Sequence, residues 1–190
     1  MNQSALKQYL ESGEAPVEIA TVVNAAVALA VQDPIAPIVV DLMAVKMLAK
    51  DLHYRARGKS FYAIHQLADV LWQTSHALDE LFEVYYLGER KSVPPLMCAF
   101  EGAAVSRTRA ALMATGCTAD ETSCGEDRLM EALAAVFRDT VSVVENAKKA
   151  AVFHSGTGAV LDEISKSALQ GAGLLARTDS AADKGLPNEA

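Results

Sequence analysis

Six prolines and eleven glycines are few for 190 residues, and they gather between long runs in which apolar residues recur at every third or fourth position. That recurrence is the helical period, and no run alternates with the period of two that a half-buried strand needs. The chain is therefore predicted to be all-α. A hydrophobic fraction of 51 % is ample for a sizeable core, and the length suits one domain.

Read in order, residues 1–16 are polar and predict a flexible arm. An apolar segment over 17–31 predicts a short helix, ended by Asp33-Pro34 and Pro37 because proline disfavours helix in the residue before it. A long helix is predicted over 37–55, with Ile38, Leu42, Val45, Ala49 and Leu52 on one face and Gly58 as its stop. The next runs over 60–87 to Gly88, with Ser60 placed to cap it. After Pro94-Pro95 a passage over 96–114 is again helical, and 115–125 is loop in composition. A helix from about residue 127 carries Leu129, Leu133, Val136, Thr140, Val143 and Ala147, and the stretch 154–158 breaks it. The last helix, over 157–176, turns Leu161, Ile164, Ala168 and Leu175 inward, and 177–190 is a disordered tail. Four long helices with a crossover helix between the second and third describe a ferritin-like four-helix bundle, here with an extra N-terminal helix and spanning 17–176.

Charge and cysteines narrow the function. A formal charge of −7 does not suit a general nucleic-acid binder, which neutralises phosphates with clustered Lys and Arg. The apolar run at 20–31 is too short to span a bilayer, which takes about 20 residues. Glu11, Glu14 and Glu18 before it are the reverse of a signal peptide's basic start. Three cysteines are an odd count in a chain beyond disulfide-scaffold size, so reduced thiols and a cytoplasmic protein without membrane contact are expected.

On the second predicted helix His65, Asp69, Trp72, His76, Asp79, Glu80 and Glu83 fall within about 60° of one line at 100° per residue. Such a stripe is ordinarily a solvated face. Here it holds two imidazoles and four carboxylates with no Lys or Arg between His65 and Gly88. Imidazole with carboxylate is a ligand set for iron, manganese or zinc. His65 with Asp69, and His76 with Glu80, are each one turn apart and can share an ion. His53 closes the preceding helix, so a fold-back or a second subunit would complete the set.

The segment His53-Tyr54, Gly58, His65, Asp69 resembles the Dps family, the miniferritins that oxidise and store iron in dodecameric shells. The family pattern is His-aromatic-x-x-x-Gly, six residues, His, three residues, acid, and both spacings are kept. Arg57 and Phe61 also match, and a weaker likeness covers 38–90 and 157–164. The resemblance implies Fe(II) and Fe(III) as the metal, held at a two-fold interface by His53, His65 and Asp69 of one subunit and two acids of its partner. Glu80 stands at the first acid's position, but Val84 stands at the second. A one-residue shift matches Asp79 and Glu83 instead, and His76 lies one turn before Glu80. Tyr54 replaces the usual Trp.

The resemblance further implies ferroxidase activity with hydrogen peroxide or dioxygen, protection against oxidative stress, and a homo-oligomer, a dodecamer built from dimers. Asp162 and Glu163 could line a cation passage or simply be a solvated face. DNA binding is not expected, since 1–18 carry Lys7 against three glutamates and the tail is acidic on balance. The alternative is a ferritin-like assembly or scaffold protein with a degenerate metal site, or a binder of another divalent metal.

Overall fold

The computed structural model describes residues 33–57, 61–90, 97–117 and 124–182, and every regular element among them is helical. The predicted arm, N-terminal helix, Gly58 stop and Ser60 cap, and residues 183–190 of the predicted tail, lie outside the described residues. Helix α1 is Ala36–Arg55, and α2 is Phe61–Gln73. A 3₁₀ turn at Thr74–His76, the short α3 at Ala77–Leu81 and a π-helical segment at Phe82–Glu89 continue from it. Then come α4 at Met97–Ala114, α5 at Glu126–Ala150 and α6 at Ser155–Ala182. No described helix is long and apolar enough to cross a membrane.

Helix α1 starts where the prolines permit. Pro37 sits in its first turn, where a missing N–H costs nothing, and the Asp33 carboxylate accepts the Ile35 N–H at 3.0 Å. The same carboxylate accepts from the Tyr85 hydroxyl at 3.1 Å and the Arg90 guanidinium at 2.9 Å, so it ties the start of α1 to the end of the π segment. Burial, with Asp33 beside it, pushes the Tyr85 hydroxyl up to about 12.

Eleven residues of α1 are buried, and they occupy nearly all of its circumference. A helix buried on most sides of its first half and on one face of its second, where Lys46 and Tyr54 reach solvent, needs several neighbours to cover it. It packs on α2, α4 and α5, and it threads both halves of the core. One half joins Ala44–Leu52 to Leu71, Leu129, Leu133, Phe137, Ala168 and Leu175. The other joins Ile35–Met43 to Leu81, Tyr86, Phe100, Val144, Leu161 and Ile164. These memberships fix directions: α4 and α6 run with α1, while α2 and α5 run against it.

The second helix differs from the single one predicted. The Ser75 hydroxyl bonds back to the Trp72 carbonyl at 2.7 Å, competing with the helical ladder where it tightens to 3₁₀. Farther on, the Arg90 N–H reaches five residues back to the Tyr85 carbonyl, and Gly88 lies inside the wide turn, not beyond it. A Cβ there would meet the Glu83 carbonyl at 3.3 Å. The last helix continues to Ala182, six residues past its predicted end. On α5 the buried residue is Val144, with Val143 half-buried, because a 3.6-residue period from Thr140 lands closer to 144.

Cys117 and Cys124 are joined by a disulfide, which corrects the expectation of reduced thiols for this pair. Their spacing in sequence hid it, but the chain folds back to a Cα–Cα distance of 5.9 Å, inside the bridging range.

One ion-pair network enters the core. Asp41, 5 % exposed, takes the Arg107 Nε at 2.9 Å and stands 3.5 Å from the Thr140 hydroxyl. Arg107 also reaches Asp139 at 2.6 Å. Burial pushes the Asp41 carboxyl up, against the pull of Arg107. Breaking such a pair by removing the cation leaves a buried charge, so Arg107→Met should cost about 3 kcal/mol in urea unfolding at neutral pH. Asp41→Asn should cost about 1 kcal/mol, since an amide can still be hydrogen-bonded. A carboxyl raised in the folded state contributes stability that is present at acid pH and lost as pH rises through its folded value. The Arg107→Met deficit should therefore shrink as pH falls toward the carboxylate range, and a deficit flat with pH would contradict the assignment.

Close packing of α5 on α6 yields a second expectation. A Cβ at Gly171 would lie 2.8 Å from the Phe137 ring, which is fully buried, whereas Gly173 has nothing within 4 Å. Gly171→Val should destabilise by about 1–3 kcal/mol. Gly173→Ala should be neutral or stabilise by up to ~1 kcal/mol. Thermal melts of the pair distinguish the two environments.

Candidate metal centre

Two helix ends build the site. His53 lies in the last turn of α1, and His65 and Asp69 lie one turn apart on α2. The turn between them is held at its start. Arg57 donates from its guanidinium to the Tyr54 and Ala56 carbonyls at 2.9 and 2.8 Å, closing off the end of α1. Its backbone N–H donates to Glu126 at the start of α5 at 2.6 Å.

His53, His65 and Asp69 offer ligand atoms that all lie within 4.8 Å of one another. Atoms bound to one ion through bonds of about 2.1 Å can be no more than about 4.2 Å apart, so small side-chain rotations would close the set. The donors are not satisfied by each other. The imidazole rings of His53 and His65 lie against each other with centroids 3.6 Å apart and planes tilted by 36°. His53 Nδ1 stands 2.9 Å from Asp69 Oδ1 but without hydrogen-bond alignment, and the buried His65 Nδ1 has no hydrogen-bond partner among the described residues. Two imidazoles and a carboxylate, converging with spare donor capacity, fit a divalent first-row ion.

Around the triad the surface is aromatic. Tyr54 stands edge-on to His53, and Phe61 packs beside His65. Tyr54, Phe61 and Tyr62 are all exposed. Lys50, which the sequence did not single out, holds its ammonium 3.3 Å from the centre of the Trp72 ring. Its place one turn before His53 was the only available signal.

His76, Asp79, Glu80 and Glu83 are exposed and join no metal-binding group among the described residues. His76 stands edge-on to Trp72. Asp162 pairs with Lys148 and Glu163 with Lys166, as on a solvated helix face. Comparison with protein-family models, curated proteins and solved structures finds no match for this chain.

Trp72 is the chain's one tryptophan and lies one turn beyond Asp69, so it can report on the site. Titration with Co(II) should quench its fluorescence saturably. The His65→Ala, Asp69→Ala double variant should weaken that response by ~100-fold or more, as loss of two direct ligands exceeds the usual cost of losing a supporting contact. An identical titration of wild type and variant would place the metal elsewhere.

Proposed function

We propose that the chain is a Dps-like iron-binding protein that oxidises Fe(II) with hydrogen peroxide or dioxygen and stores the ferric product. The observation that carries this reading is the convergence of His53, His65 and Asp69 with unsatisfied donor atoms. The helix directions agree with it. The second helical stretch and α5 run the same way with α4 crossing between them, as a ferritin-like bundle requires. Cytoplasmic residence belongs to the same reading, and the Cys117–Cys124 disulfide counts against it.

Iron is substrate and cargo here. His53, His65 and Asp69 supply three donors, and Fe(II) has room for more. On this reading the remainder come from a second copy of the chain across the exposed Tyr54, Phe61 and Tyr62 surface, in a shell of dimers reaching a dodecamer. The 3₁₀ turn bears on which acids they are. Three residues wound at 120° instead of 100° advance the helix by roughly 60°. Asp79 then comes within about 40° of the place Glu80 would hold on an unbroken helix. That favours Asp79 with Glu83 over Glu80 with Val84.

Fe(II) oxidation by the purified apoprotein, followed optically with peroxide and with air, tests the proposal. Wild type should oxidise faster than the His65→Ala, Asp69→Ala variant by ~100-fold, about 2.7 kcal/mol of barrier. Asp79→Asn and Glu83→Gln should each slow the reaction more than Glu80→Gln. Equal, slow rates in wild type and double variant would end the ferroxidase reading and leave an assembly role. Tight binding of zinc with no iron oxidation would point to a site for another metal. Light scattering that finds only monomer would remove the shell.

A further inference from the structure

A cavity with a volume of 620 Å³ lies between α1 and α4, lined by none of the triad residues. Its walls are apolar at Met47, Val105, Leu112 and Met113, and the Cys117–Cys124 disulfide forms part of its boundary. Lys50 contributes its stem, since its ammonium is engaged over Trp72, and Asp51 and Arg55 of the same helix also line it.

Two features of α4 mark this cavity as built for a ligand. Val105 and Met113 are 55 % and 57 % exposed, which leaves large apolar side chains facing water at its rim. Between them are two polar groups with unused capacity. Thr108 is 9 % exposed, and among the described residues its hydroxyl has only the Met47 thioether, a weak acceptor 3.7 Å away. Arg109 makes no ion pair among the described residues, although Arg107, two positions earlier, is committed to Asp41 and Asp139. The volume falls in the range of small-molecule sites, where an apolar wall supplies affinity and a few polar groups fix orientation. Methionines at the wall adapt to flexible apolar bodies.

We infer that this cavity binds a small monoanionic amphiphile, a carboxylate with an unbranched apolar body. The headgroup is received by the Arg109 guanidinium and the Thr108 hydroxyl, and the body lies along Met47, Val105, Leu112 and Met113. A guanidinium–carboxylate contact supplies the charge-assisted hydrogen bonds that a neutral alcohol cannot replace. This site shares no residue with the triad, so the iron reading can fail without touching it.

Isothermal titration with decanoate below its micelle-forming concentration, against 1-decanol and acetate, reads both halves of the site. Decanoate should bind saturably, one per chain, and about tenfold or more tighter than either comparator, as a charged hydrogen bond and an apolar body each contribute. Arg109→Gln should abolish the preference over decanol, and Thr108→Val should weaken decanoate by a smaller factor. Val105→Ser, at an exposed position, should weaken decanoate and decanol together. Equal affinities for decanoate and decanol, decanoate binding unchanged in Arg109→Gln, or no saturable binding would each overturn the inference. Unchanged melting of the Arg109→Gln variant confirms that it is folded when its binding is read.

Discussion

Helix α1 buries eleven of its twenty residues, and the rest of the fold answers that constraint. Its buried residues must be covered from several sides at once, so α2, α4 and α5 are drawn around it and both halves of the core share it as an axis. A purely apolar cylinder would accept its neighbours in many registers. Asp41 narrows that freedom. It is a charge carried into the core of α1, and a seat for α4 that placed Arg107 elsewhere would leave the carboxylate unpaired at a cost of several kcal/mol. The pair need not add net stability to act this way. Its effect is to penalise the wrong arrangement, which suits a helix such as α4 that packs between α1 and α5.

How much of this could be read from the sequence follows from how local each cause is. The start of α1 was legible because proline acts on its immediate neighbours, and all five residues assigned to its inner face are fully buried. The inward residues of α6 were legible for the same reason, since a period of 3.6 needs no knowledge of the partner. The broken second helix was not. Thr74 and Ser75 are ordinary helix-surface residues in composition, and the backward bond from Ser75 wins over the ladder only in the folded chain. Pairings across long separations were equally silent. Nothing near Asp41 announces Arg107, 66 residues away, and nothing in seven residues of spacing announces the Cys117–Cys124 bond. The triad occupies the middle ground. Its two α2 members were visible as an i, i+4 pair, and His53 was tied to them by a family spacing that the fold happens to bring within reach.

The triad also joins two elements of unequal rigidity. His53 stands on α1, the most enclosed helix, whereas α2 buries only Ala68 and Leu71 completely. A gap of 220 Å³ remains between α2 and α6, with Val70 and Leu174 on its two sides still partly in water. Elements with few buried contacts open first, so α2 is the compliant partner. An ion would draw the donors, already within 4.8 Å of one another, together by rotating their side chains, and any backbone adjustment would fall on α2 and not on α1. Part of its binding free energy would be spent in holding α2 down, and by linkage any ligand that binds only the closed form stabilises that form. The last turn of α1 contributes to the same balance, since the negative end of a helix dipole favours a cation there. Arg57 already answers two of those carbonyls, which leaves the side-chain donors, and not the helix end, to decide whether an ion is held.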